Sequence, residues 1–331
     1  MPLIYESSYS KRPPLYFNSY LETLIPYFNT QVNQVQYERE RLELEDGDFL
    51  DLDWVRSGSN KLMVVTHGFE GNTRDVCIEK SAAYFFRQGF DVLLWNLRSC
   101  SNELNRLPRF YHHGDIEDLD AVINHGIKSK KYDEIIVVGF SLGGSIIINY
   151  FGSDLPGPLI KGGVAISAPL DIAATSNRIS TGWNRILLEP NFLAKIKNKV
   201  LRKAELFPDL IDKEKVRKIK SLKELLTDVV LHLNGFSTRE DYFKKWSCLE
   251  HLQKIERPLL ILNAKNDPLL SANDFPYERC KESEHVYLES PAYGGHVGFS
   301  KKLGGEFWYL KRIDDFIEGE IEVTPQLREI T

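Results

Sequence analysis

The sequence predicts an α/β fold: a mostly parallel central sheet of about eight strands, helices on both faces, and a helical cap inserted late in the chain. Three observations carry this. Apolar runs such as KLMVVTHG (61–68), FDVLLWN (90–96), EIIVVGF (134–140) and RPLLILNA (257–264) lack polar alternation, as strands buried on both faces do. Helical patterns separate them. One charged, helix-rich stretch without a strand of its own, 171–255, interrupts the rhythm and reads as a cap above the sheet.

Residues 1–35 read as an N-terminal arm, aromatic and proline-punctuated (PPLYFNSYLETLIPYF), with one short helix. QYERERLELED (36–46) and FLDLDWV (49–55) follow as strands. The second alternates with period two and is expected at a half-exposed antiparallel edge. After KLMVVTHG come a helix over 74–88, the strand FDVLLWN, and a helix over 114–130 whose early acids and late lysines complement its dipole. EIIVVGF, a helix over 142–151, IKGGVAIS (160–167), RPLLILNA, a helix over 271–282, EHVYLE (284–289) and a helix over 306–318 complete a single domain spanning 1–331.

The chain has 331 residues, 42% hydrophobic and 27% charged, enough for a large buried core. A net charge of −5 argues against a nucleic-acid binder held by phosphate attraction. The N-terminus has no basic and apolar signal pattern, and no run reaches the ~18–20 apolar residues of a membrane span. Cys77, Cys100, Cys248 and Cys280 are scattered without metal-like spacing. A cytoplasmic protein with reduced thiols is expected, without an obligate protein partner.

Gly139-Phe140-Ser141-Leu142-Gly143 is a GxSxG motif between a buried strand and a helix. With Gly and Ser each about 7% of residues, chance gives roughly 0.1 such matches in this length. The strand–turn–helix setting therefore decides the reading. A strand turning straight into a helix strains the central residue and tolerates it only where neighbours lack a Cβ. Gly139 and Gly143 meet that need, and the serine hydroxyl emerges at a helix N-terminus, where negative charge is favoured. This is the nucleophile elbow of the α/β-hydrolase fold.

A serine nucleophile needs a base and an orienting acid, here in the order Ser, Asp, His. Of the histidines after Ser141, His232 and His251 fall in the cap and His285 opens a strand. His296, in YGGHVGF after the last strand, sits in a glycine-rich loop that would let a mobile imidazole reach the sheet's top edge. Asp267, in the turn KNDPLL, is the expected acid; Asp171, in SAPLD, is its rival. The Leu142 amide and the Phe69 amide, the latter in VVTHGFEG, are the expected oxyanion donors.

Together PPLYFNSYLETLIP (13–26), THGFEGNTRD (66–75), WNLRSCSNELNR (95–106), YHHGDIEDL (111–119), GFSLGGSI (139–146), SAPLD (167–171), FSTREDYFKKWS (236–247), NAKNDPLL (263–270) and GGHVGF (294–299) resemble the α/β-hydrolase family of the bacterial YheT-type hydrolases and their eukaryotic membrane-linked relatives. The resemblance covers nearly the whole chain. It implies a triad of Ser141, Asp267 and His296 and carboxylic-ester hydrolysis of short acyl or lipid-like esters. It departs at Ser-Tyr-Leu-Glu-Thr (19–23), where relatives tend to carry His-Leu-Gln-Thr, which leaves the local packing open.

Other charged clusters have plainer readings. His112, His113 and Asp115 read as a helix N-terminus, with Asp115 in the first turn, rather than a metal site. Arg98 and Arg106 read as structural ion-pair partners. The stretch 195–223 holds eleven Lys or Arg and four acids, and is either a solvated helix face or a contact for anionic membrane surfaces. The predicted activity is that of a serine esterase requiring no metal and no organic cofactor. Phospholipase or acyl-transfer chemistry on the same residues, and a non-catalytic binding protein of this fold, are the alternatives.

Overall fold

A computed structural model describes residues 3–28 and 35–321. Among these residues nine strands form one sheet, in the order β1-β9-β8-β7-β6-β4-β5-β3-β2. They are β1 (Leu3–Ile4), β2 (Glu38–Glu43), β3 (Phe49–Val55), β4 (Lys61–Thr66), β5 (Asp91–Trp95), β6 (Glu134–Phe140), β7 (Ile160–Ile166), β8 (Leu259–Leu262) and β9 (Val286–Glu289). All neighbours run parallel except β2 with β3 and β3 with β5. The sheet exceeds the expected eight strands by β1, whose two residues are too few to carry a periodic signal.

Successive side chains point to opposite faces of a strand, and both faces are apolar here. Leu62, Val64, Ile135, Val137, Leu259 and Ile261 pack with Leu119, Val122, Ile146 and Ile147 of α3 (Ile116–Ser129) and α4 (Leu142–Phe151). Met63, Val65, Ile136, Val138, Leu260 and Leu262 pack on the other side with residues of α2 (Val76–Arg87) and α13 (Trp308–Phe316). Burying each such side chain contributes about 1.5–3 kcal/mol, which makes this two-sided sheet the main source of stability.

The expectation for FLDLDWV is corrected in one respect. β3 is antiparallel, but it lies inside the sheet and is buried at every position; the edge strand is β2. Its alternating aspartates are satisfied across the ladder. Arg41 and Arg39, directly opposite Asp51 and Asp53, form two-pronged ion pairs with them at 2.7–3.0 Å. The polar period thus encodes a cross-strand charge pairing rather than a wet face.

The N-terminal arm carries α1 (Ser19–Phe28). The segment between β7 and β8 holds helices and no strand: α5 (Ile172–Ile179), α6 (Asn184–Leu187), α7 (Glu189–Leu206), α8 (Lys213–Lys218), α9 (Leu222–Leu225) running through a π turn into α10 (Leu231–Leu233), and α11 (Arg239–Trp246). Ile196, Val200, Val216, Ile219 and Leu225 give it an apolar core of its own, closed below by Phe110. The helix expected over 271–282 is divided. Ser271 and Asp274 close a short 3₁₀ turn in a capping box, and Pro276 then precedes α12 (Tyr277–Glu282). No disulfide links the four cysteines, and no described helix is long and apolar enough to cross a membrane.

Candidate active site

Ser141 stands between β6 and α4 with φ 53° and ψ −120°, a conformation that a residue bearing a Cβ keeps only when its surroundings enforce it. The two motif glycines make room. A Cβ on Gly139 would lie 2.4 Å from the Gly143 carbonyl oxygen, and one on Gly143 would lie 2.5 Å from that of His67. The Ser141 amide donates to Ile166 O at 2.8 Å, fastening the turn to β7.

Three residues far apart in the chain meet there. His296 Nε2 is 2.9 Å from Ser141 Oγ, and His296 Nδ1 is 2.8 Å from Asp267 Oδ2. Asp267 is buried, and its second oxygen accepts the Leu269 amide at 2.8 Å, so the turn after β8 aims Oδ2 at the imidazole. With Nδ1–H donating to Asp267, Nε2 carries no proton and faces the serine hydroxyl.

The strand-end loop after β4 lies against the serine. A Cβ on Gly68 would fall 3.1 Å from Ser141 Cβ, tighter than an ordinary contact, so this backbone lies close against the serine. Among the described residues neither the Phe69 nor the Leu142 amide donates to a protein acceptor; Leu142 opens α4 and has one of its free first-turn N–H groups. His67 fixes the loop. Its Nδ1–H donates to Gly68 O at 2.7 Å, and its Nε2 accepts the Leu97 amide at 3.1 Å. Burial, helped by the Lys199 charge, pulls this histidine down to about 4 against the Gly68 hydrogen bond, and it is neutral.

Next in the loop, Glu70 has φ 55° and a buried carboxylate. The Tyr111 hydroxyl accepts the Glu70 amide and donates to Glu70 Oε1, both at 2.8 Å. Lys199 of α7 supplies the counter-charge at 2.9 Å. One turn on, Lys203 is fully buried and donates to Leu107 O at 2.5 Å and Arg109 O at 2.7 Å. Burial pulls Lys203 down to about 7. Part of the basic stretch 195–223 therefore docks the cap onto the loops beneath it. Helical charge patterning alone does not reveal this, because an inward lysine and an outward one look alike in sequence.

Beside Ser141 and His296 a partly open pocket runs under the cap. Phe69, Phe192, Leu226, Val230, Tyr242 and Phe243 make up much of its wall, with Lys223 at the cap side and no Asp or Glu among the described lining residues. Phe69 meets Tyr111 and Phe192 edge-on at 5.8 and 5.6 Å between ring centres, joining loop, body and cap.

The other singled-out residues take no part in the Ser141–His296–Asp267 hydrogen bonds. Asp171 caps α5, accepting the Ala174 amide at 2.9 Å, and has no contact with His296. Asp115 sits at the N-cap of α3 rather than in its first turn. Its side chain turns back to the His112 amide and to Arg109 instead of capping the helix. His112 and His113 line the pocket, and burial pushes both down to about 3. No cluster of His, Cys, Asp or Glu among the described residues could hold a metal ion. Arg98 is buried between Asp118 and Asp48, and Arg106 pairs with Glu43. The sequence reading left the packing of 19–23 open and gave Glu22 and Thr23 no role; both contact the His296 loop.

Comparison with known proteins bears on this geometry. The family Hydrolase_4, described as serine aminopeptidase S33, matches residues 58–285. The chain is 29% identical over 323 residues to YheT of Escherichia coli K12, covering 92% of each. It is 25% identical over 312 residues to phospholipase ABHD3 of Mus musculus, covering 91% of this chain and 76% of that one. The esterase Pf2001 of Pyrococcus furiosus has the same fold, with a TM-score of 0.59 at 19% identity over 87% of this chain and 94% of its own.

Proposed function

From the premise that the chain belongs to the Hydrolase_4 (serine aminopeptidase S33) family of α/β-hydrolases, we propose that it hydrolyses carboxylic esters of short acyl or lipid-like substrates through an acyl-enzyme on Ser141. One observation carries the reading: the Ser141–His296–Asp267 arrangement opens onto a largely apolar pocket with no carboxylate among its described lining residues. An α-ammonium group would find no carboxylate to pair with among the described lining residues, whereas an acyl chain suits them.

In the proposed mechanism Ser141 Oγ attacks the ester carbonyl carbon while its proton passes to His296 Nε2. The carbonyl π electrons move to oxygen, which accepts hydrogen bonds from the Phe69 and Leu142 amides. Each such donor typically lowers the barrier by about 3–4 kcal/mol. Asp267 holds the Nδ1–H tautomer and stabilises the imidazolium. Collapse breaks the C–O bond, and the departing alcohol takes the proton from Nε2. Water then enters and the same base activates it, freeing the acid and restoring Ser141. The test is a p-nitrophenyl ester panel from acetyl to long acyl chains, run with fluorophosphonate labelling on wild type and Ser141→Ala. Turnover and labelling should vanish in the variant. Full activity there overturns the assignment.

We also propose that anionic lipid surfaces are met by the outward part of 195–223. Arg202, Lys215, Lys218 and Lys220 are exposed, and Leu206 and Leu210 of the same stretch are 60% and 62% exposed. Cations with adjacent apolar side chains suit an interfacial contact. Co-sedimentation with phosphatidylserine vesicles at low salt should be lost on reversing these four charges; no binding by the wild type rejects the proposal.

A further inference from the structure

The loop carrying His296 is held by the opposite end of the chain. Thr23 Oγ1 accepts the His296 amide at 2.9 Å. Glu22 Oε2 accepts the Gly294 amide at 2.7 Å and Asn266 Nδ2 at 3.0 Å, while Asn266 Oδ1 accepts the Gly295 amide at 3.1 Å. Arg12 pairs with the other Glu22 oxygen and lies 4.3 Å over the Tyr293 ring. The Tyr9 hydroxyl donates to Ser300 O at 3.0 Å. These contacts grip the loop on both sides of His296, and Asn266 extends the grip to the turn holding Asp267. Glu22 is 1% exposed, so its carboxylate is an internal acceptor with its own counter-ion rather than a surface charge.

The backbone held in this way is strained. Val297 has φ 62° and Phe299 φ 28°, and a β-branched residue at positive φ is a genuine outlier. Such conformations persist only where the surroundings over-determine them. The glycines around His296 serve that purpose instead of loosening the loop. A Cβ on Gly295 would lie 2.9 Å from Thr23 N, and one on Gly298 would lie 2.1 Å from Glu22 O. The loop expected to leave the imidazole mobile is held by hydrogen bonds on both sides of His296.

We propose that Glu22 and Thr23 are positioning residues for the reaction, setting His296 Nε2 against Ser141 Oγ from the N-terminal arm while touching no substrate. Neither lines the pocket. The inference rests on the ester-hydrolase reading above. Its signature is a loss confined to chemistry, because a displacement of about 1 Å in a catalytic group can cost about 10²-fold in rate while binding persists.

The test compares wild type with Thr23→Val, Thr23→Ser, Glu22→Ala and Glu22→Gln. The readouts are kcat and KM on a p-nitrophenyl ester, the fluorophosphonate labelling rate, and the thermal midpoint of each sample. Thr23→Val and Glu22→Ala should lower kcat and labelling about ten- to hundredfold with KM within about twofold. Thr23→Ser, which keeps the acceptor, should restore most of the rate, and Glu22→Gln should fall between. If Glu22→Ala does not accumulate as folded protein, the Thr23 pair decides. Unchanged kcat in Thr23→Val, a loss lying wholly in KM, or a loss proportional to the unfolded fraction overturns the proposal while leaving the ester reading intact. Wild type that neither turns over the ester nor labels removes the ester reading, and this proposal with it.

Discussion

Lys199 of the cap reaches across to Glu70, the residue after Phe69, at 2.9 Å, and this buried ion pair ties the cap to the loop beside Ser141. Its carboxylate partner is 1% exposed, so breaking the pair strands a charge. Lys199→Met is therefore expected to destabilise the fold by about 3–5 kcal/mol, whereas adding Glu70→Gln should recover most of that loss. Urea unfolding of the two single variants and the double variant measures this; additive losses would show that the residues are not coupled.

Asp267 and Asp171 make opposite predictions. Asp267→Asn keeps the shape but presents an amide to His296 Nδ1, disfavouring the tautomer with a bare Nε2; kcat should fall about 10³- to 10⁴-fold. Asp171→Asn should leave kcat within about threefold, since that side chain caps α5. Steady-state kinetics on one ester distinguishes them, and a reversed ranking would reinstate Asp171.

Gly68 is tested by a single methyl group. Its Cβ would meet Ser141 Cβ at 3.1 Å and Phe140 O at 3.3 Å, so the loop must shift away from the serine by a few tenths of an ångström. Gly68→Ala should lower kcat at least tenfold while costing only about 1–3 kcal/mol in stability. Equal activity would place the oxyanion donors elsewhere.

His67 supplies a pH signature. Its value in the fold, about 4, lies below the ordinary 6.5, so between those pH values the unfolded chain binds a proton that the folded chain refuses. The contribution of neutral His67 is complete above pH 6.5 and is lost as pH falls toward 4. The slope is about 1.4 kcal/mol per pH unit for one proton. Denaturation midpoints between pH 4 and 7 should flatten by about one proton in His67→Gln. An unchanged slope would mean that the histidine titrates normally.

Much of this protein is written locally. GFSLGG encodes its own turn, and the apolar runs identify the parallel strands because burial on both faces leaves no polar period. The aspartates of β3 were misleading for the same reason in reverse. A polar period signals water unless an arginine stands opposite, and opposition is a property of two strands. The two-residue β1 and the inward lysines of α7 leave no readable trace, since each depends on what lies across from it.

The sequence by itself determined the strand–helix rhythm, the elbow that lifts Ser141, and the shortlist from which Asp267 and His296 emerge. These follow from the backbone sterics of a few adjacent residues and from the period of burial. Only the tertiary structure decided that Asp171 caps a helix, that the cap rests on the inward Lys199 and Lys203, and that the arm holds the His296 loop. Glu22 and Gly294 are 272 positions apart, and no local pattern ties them. Their hydrogen bond exists because β1 pairs with β9, which brings the N-terminal arm beside the loop after β9, where an unpaired buried amide would be costly.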